Sequence, residues 1–405
     1  MSHPELRRQL GTADAVVVGL GSMLGAGVFV VFGPAAAAAG PGLLIALAVA
    51  AAVAYCNATS SARLAVLYPR SGGTYLYGRE QLGMFWGYLA GWAFVAGKTA
   101  SCAAMALTVG LYAWPAHAHA VAVAAVAALT AVNYRGIEKS ARVTRVIVAV
   151  VLAVLAGVVT AVVLSGRADL AHIPWAGGTV GGVLQGAGLL FFAFAGYARI
   201  ATLGEEVRNP ERVIPRAIRI SLVVTIAVYA ALAAGLMAIL GPELSTAAAP
   251  LADAVRAAGA TGFEPVVRIG AVAAALGALL SLILGVSRTT LAMARDGRLP
   301  AALAVVHPRY RVPHRAEVAV GAVIATVAAL ADVRAVIGFS SFAVLVYYAI
   351  TNASALTLPA GRPAIPVLGL LGCLTVAVSL PVSSVVAGAT VMAAGALLYL
   401  ATRSG

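Results

Sequence analysis

The sequence predicts an all-α polytopic membrane protein. Three observations carry this. Hydrophobic residues make up 62% of 405 residues and charged residues only 10%, whereas soluble domains run at about 25% charged. The apolar runs are continuous rather than alternating, which excludes a transmembrane β-barrel. The basic residues recur in short clusters between the apolar runs, the pattern in which membrane topology is written.

One crossing takes about 20 apolar residues. Spans are expected at 14–34, 40–62, 83–111, 116–133, 146–164, 181–203, 218–240, 265–287, 316–331, 336–357, 364–381 and 384–402, about 12 transmembrane helices in all. An even count puts both termini on one side. With the N-terminus inside, twenty-one of the 27 Lys and Arg fall on cytoplasmic segments, so both termini are expected in the cytoplasm, with the chain multi-pass in the cell membrane. The net charge of +13 does not form one basic patch interleaved with aromatics, so a nucleic-acid partner is excluded. Cys56, Cys102 and Cys373 lie far apart inside apolar runs, and the histidines do not cluster with acids. No metal, cofactor or disulfide framework is expected. The first apolar run is long and leads into further spans, so no cleaved signal peptide is expected.

The first span contains Gly19, Gly21, Gly25 and Gly27 in GLGSMLGAG. Glycines weaken a helix and leave backbone groups unpaired. At membrane depth such groups line a cavity or bind a ligand. Close helix packing through small residues is the plainer use of the same motif. A dinucleotide loop would need an acid about 20 residues on, and none occurs between Asp14 and Glu80. The sixth span is interrupted in its turn, at Phe191-Phe-Ala-Phe-Ala-Gly-Tyr197. Gly25 and Gly196 are separated by about five spans, an odd number, so the second interruption inverts the first across the membrane. Paired interruptions in inverted halves point to a transporter site. Free N–H groups at a half-helix N-terminus suit a carboxylate. Free carbonyls suit an ammonium. A zwitterion matches both.

Five segments carry a family resemblance: GSMLGAGVF at 21–29, YPRSGGTYLY at 68–77, FFAFAGY at 191–197, GEEVRNPERVIPRAI at 204–218 and SRTTLAMARDGRLPAALAVVHPRYRVPHRA at 287–316. Between about Asp14 and Arg315 the chain resembles the amino acid–polyamine–organocation superfamily of permeases. The resemblance implies a LeuT-like five-plus-five inverted repeat with helices 1 and 6 broken. The first repeat would span about 11–165, the second about 180–358, and two extra helices about 364–402, all in one transmembrane domain covering 1–405. It implies alternating-access transport of a small amino acid through the lipid bilayer, with no enzyme activity and no obligate protein partner. The substrate carboxylate would sit on the N–H groups of Gly25, Ala26 and Gly27. The amine would sit on carbonyls near Met23, Phe192 and Ala195, with Phe192 as a gating ring. Ser22, Phe191, Phe194 and Tyr197 complete the candidate lining. The chain has Val151 where relatives with a fifth-span lysine carry it, and Ala198 where many relatives have an acid.

Lys98 lies near the middle of the third span, roughly 20 Å from either interface at 1.5 Å per residue. A charge at that depth is a functional candidate by default, and Lys98 is expected to carry a coupling proton or to stand in for a coupling cation. Its alternative is a fixed ammonium bonded to carbonyls of a broken helix. Sodium coupling is disfavoured, because the middle of span eight, ALLSLILGVS, offers Ser281 alone. No acid lies mid-span, so a neutral amino acid is favoured over an acidic one, and both over a cationic one or a polyamine. Glu205 and Glu206, with Arg288, form a candidate inner gate. A non-transporting amino acid sensor with the same fold is the rival reading. An intramembrane enzyme would need a His/Asp/Glu constellation at depth, which the chain lacks.

Overall fold

The computed structural model describes residues 10–69, 72–136, 141–173, 177–201, 206–359 and 362–401. Among these the elements are all helical, and the β-type pairing is an isolated parallel bridge between Leu10 and Val207. Ten helical segments of the described residues are long and apolar enough to cross a membrane. The protein is a multi-pass membrane protein.

The first apolar run folds as three pieces, α1 (Thr12–Met23), α2 (Gly27–Val30) and α3 (Phe32–Ala39). The expected end at 34 is too early, because Ala35–Ala39 is a run of the strongest helix former. Gly40 then takes a φ of 51°, a conformation that favours glycine, and turns the chain into α4 (Leu43–Leu67). A short helix, α5 (Thr74–Leu82), precedes the long α6 (Met84–Ala113). α7 (Ala118–Tyr134) and α8 (Ala141–Leu164) follow.

The sixth run is also divided. Thr179 caps α9 (Val180–Phe194) by accepting from the Gly182 N–H at 3.0 Å. Ala195–Tyr197 is a 3₁₀ turn, and α10 (Ala198–Ala201) resumes beyond it. α11 (Pro210–Leu240) starts on a proline, which suits the first turn of a helix. α12 (Pro250–Ala257) is a short helix ahead of α13 (Glu264–Arg295). The chain ends with α14 (His314–Leu330), α15 (Val333–Leu356), α16 (Ala364–Val378) and α17 (Val382–Ala401). α11 and α13 outrun the expected spans 218–240 and 265–287, because a helix continues past the hydrocarbon wherever its ends are capped or wet. α14 and α16, with 17 and 15 residues, reach about 25 and 22 Å at the α-helical rise.

α6 packs against α15 and α13, α4 against α9, and α1 against α11 and α8. The buried centre thus falls on α1, α2, α6, α9 and α15. α7 and α17 lie at the periphery and expose most of their surface.

Candidate functional site

α1 ends when the Leu24 N–H donates to the Leu20 carbonyl at 2.7 Å. The chain then leaves helical geometry and re-enters it at Gly27. The N–H groups of Gly25 and Ala26 donate to no acceptor among the described residues. Ala26 is 0% exposed, so these are buried, unfilled donors at the start of α2. Unfilled buried donors are costly, which is the physical reason to expect a ligand there.

The second break lies directly against the first. A Cβ on Gly196 would stand 2.4 Å from the Ser22 carbonyl carbon and oxygen, and one on Gly27 would stand 3.0 Å from the Ala193 Cα. Glycine is what lets the two backbones approach. The same Gly27 position would meet the Phe192 ring at 3.4 Å, so Phe192 borders the break. Phe192 and Met23 are 7% and 1% exposed. The break is closed from both sides.

The carbonyls at the two breaks are partly engaged. The Tyr229 hydroxyl, from α11, lies 2.5 Å from the Met23 carbonyl and 3.1 Å from that of Ala193. The Lys98 ammonium, from α6, donates to the Ala195 carbonyl at 3.2 Å, and the Tyr348 hydroxyl, from α15, approaches it at 3.5 Å. Lys98 is 8% exposed, and no carboxylate pairs with it among the described residues. Beside it, Ser101 and Ser340 join α6 to α15 by a 2.7 Å hydroxyl contact, and Ser340 donates to the Gly97 carbonyl at 3.0 Å.

The sequence candidates therefore divide. Met23, Gly25, Ala26, Gly27, Phe192, Ala195 and Lys98 converge on the two breaks. Ser22 donates to the Val18 carbonyl of its own helix at 2.9 Å, leaving its backbone as the part that meets Gly196. Phe191 stands edge-on to Tyr348, and Phe194 edge-on to Tyr229. Those two rings support the second-layer tyrosines. Tyr197 packs on Tyr348 at 5.0 Å, and its hydroxyl is buried between Tyr348 and Asn57. Ser281 is exposed and donates to the Gly277 carbonyl of its own helix.

The N-terminal end of α1 is tied to the segment after α10. The Leu10 N–H donates to the Glu206 carbonyl at 3.0 Å, and the Arg208 N–H returns a bond to the Leu10 carbonyl at 2.9 Å. Arg199 lies within electrostatic reach of Glu206 and Arg288. Glu205 lies outside the described residues. Asp14 pairs with Arg145 at 2.7 Å, binding α1 to α8. At the other end, Arg256 bridges Asp253 and Glu264, and burial pushes the Asp253 carboxyl up despite the Arg256 beside it.

Sequence reasoning missed Tyr229 and Tyr348, which resemble ordinary packing rings within their spans. It also missed Glu317, placed among rim acids and found to be 0% exposed. The signal was present: Glu317 shares a helical face with Val320, Gly321, Ile324 and Ala328, all buried.

The family model described as amino acid permease matches residues 14–360. The chain belongs to the amino acid permease family. It is 67% identical to an uncharacterized transporter of Mycobacterium tuberculosis over 98% of this chain and 91% of that one. It is 30% identical to the branched-chain amino acid permease of Bacillus subtilis over 76% of this chain and 72% of that one. Cationic amino acid transporter 4 of Homo sapiens is 29% identical over 87% of this chain and 60% of its own length. The family and these relatives are transporters and not enzymes, so an amino acid transporter is the function they support.

Proposed function

We propose that this permease is a secondary active transporter that carries a neutral amino acid across the cell membrane by alternating access, driven by a proton gradient. The observation that carries the reading is the meeting of the two breaks: the unfilled N–H groups of Gly25 and Ala26 and the Met23 carbonyl at the first, and the Ala195 carbonyl at the second. Main-chain donors on one side and acceptors on the other suit a carboxylate and an ammonium held a few ångströms apart. The two interruptions belong to inverted halves of a LeuT-like five-plus-five repeat, 11–165 and 180–358 in one domain. Counting α14 and α16, the chain crosses twelve times with both termini in the cytoplasm, as the distribution of basic residues supports.

Lys98 is the coupling candidate. Its ammonium holds the Ala195 carbonyl, an acceptor assigned to the substrate amine, so load and charge compete for one position. A neutral side chain is favoured because no described acid stands at the breaks to pair a cationic one, and the Bacillus relative is a branched-chain permease. Two experiments test the reading: a thermal-shift screen of the purified chain against the twenty amino acids and several amines, and then uptake into proteoliposomes under an imposed pH gradient. Stabilisation by a neutral amino acid with gradient-driven accumulation is expected. Stabilisation without counterflow would instead mark a sensor.

A further inference from the structure

We propose that Glu317 is a proton-binding site of the carrier, filled while the cytoplasmic side is closed and emptied into the cytoplasm when Arg288 reaches its carboxylate. The proposal rests on the permease reading and adds a residue that no part of it uses.

Glu317 lies in the first turn of α14, and its N–H is satisfied by the Pro313 carbonyl at 2.9 Å. Its side chain is not satisfied. The residue is 0% exposed, and neither carboxyl oxygen has a hydrogen-bond partner among the described residues. An ionised carboxylate without donors in a dry site is strongly disfavoured, and the neutral acid is the form such a site holds. The site faces α7. One turn along, a Cβ on Gly321 would stand 2.6 Å from the Thr130 hydroxyl, which is itself buried without a partner. Two unfilled polar groups therefore occupy the same seam between α7 and α14.

Among the described residues the charged and titratable surroundings are few. α13 contributes Arg288, within electrostatic reach of Glu317 but not bonded to either oxygen. α7 contributes Tyr134, whose ring packs with His307 of the preceding loop and His314 of α14 itself; His119, at its far end, bonds the Ala328 carbonyl. Arg315 stands on α14, and α6 brings Tyr88, Lys98, Cys102 and Tyr112 but no acid. Arg288 is thus the nearby cation able to turn Glu317 into a carboxylate.

Arg288 also feels the gate. Arg199 of α10 lies within reach of both Arg288 and Glu206, and Glu206 accepts from Leu10. In the proposed inward opening, Leu10 separates from the Glu206 main-chain carbonyl and Arg199 moves away from Arg288. Arg288 then loses Arg199 as a neighbour and keeps Glu317 within electrostatic reach. The carboxyl O–H bond breaks, the proton passes to cytoplasmic water, and the carboxylate pairs with the guanidinium. Proton release is thereby tied to opening on the inner side, which is the event a symporter must couple.

The test uses full-length protein in proteoliposomes loaded with the pH dye pyranine. An equimolar mixture of the twenty amino acids is added outside, and exchange of the labelled mixture is measured in parallel. The wild type is expected to acidify the lumen. Glu317→Gln is expected to exchange the mixture within about twofold of the wild-type rate and to acidify at least about tenfold more slowly. Glu317→Asp, which keeps a titratable carboxyl, recovers part of the acidification. Acidification by Glu317→Gln at the wild-type rate overturns the proposal. So does joint loss of exchange and acidification that Glu317→Asp does not repair, which marks a structural carboxyl. A wild type that exchanges without acidification overturns the proposal and the proton-driven part of the permease reading, and leaves amino acid transport standing. A wild type that neither binds nor exchanges removes both.

Discussion

The two interruptions meet, yet they are built from opposite halves of the peptide group. The break between α1 and α2 is glycine-rich and presents the Gly25 and Ala26 N–H groups, with no acceptor among the described residues, beside a Met23 carbonyl engaged by Tyr229. The break between α9 and α10 is flanked by aromatic rings and presents a carbonyl, at Ala195, already held by Lys98 and approached by Tyr348. One side is vacant and the other is occupied by a cation of the protein's own. A substrate carboxylate would enter unfilled positions. A substrate ammonium would have to share or displace Lys98. That asymmetry is where substrate binding and coupling charge can be linked, and four substitutions probe it.

The largest effect is expected where the two backbones touch. Gly196→Val places atoms within 2.4 Å of the Ser22 carbonyl, where only backbone movement can relieve the overlap. Transport should fall below detection, and thermal denaturation should show a loss of about 1–3 kcal/mol or more. Lys98→Met comes next. It vacates the Ala195 carbonyl while keeping an apolar stem of similar length. Gradient-driven uptake should drop about tenfold or more, the scale of a lost hydrogen bond from a charged group, and the pH dependence of uptake should flatten. Uptake that keeps its full pH dependence would remove Lys98 from coupling.

Tyr229→Phe should act more mildly. It deletes the hydroxyl beside the Met23 and Ala193 carbonyls but keeps the ring against Phe194. A loss of about 1 kcal/mol, roughly fivefold in affinity, is expected from substrate titration by thermal shift. The smallest effect is expected at Gly285, where an added Cβ meets nothing within 4 Å. Gly285→Ala should leave uptake unchanged and raise stability by up to about 1 kcal/mol through helix propensity.

Much of the fold was legible because hydrophobicity reports lipid crossing directly. The break at 24–26 was visible through its glycines and the break at 195–197 through its Gly196, since helix weakening is a local property. Lys98 stood out as a lone charge at depth. What escaped depended on contacts between distant segments. α5 and α12 are too short to register as apolar runs, though α12 buries Leu251, Ala254 and Val255. Tyr229 and Tyr348 differ from other span aromatics only in where their hydroxyls point, which the surrounding helices decide. Glu317 sits two residues inside an expected span, and only its helical face shows that it turns inward.

The central claim is that main-chain donors at one break and acceptors at the other grip both charged ends of an amino acid. The most direct measurement compares thermal stabilisation of the wild-type chain by leucine, by leucinamide, which lacks the carboxylate, and by 4-methylpentanoate, which lacks the amine. The account predicts a clear shift with leucine and little or none with either analogue. Equal stabilisation by leucinamide or 4-methylpentanoate would contradict it.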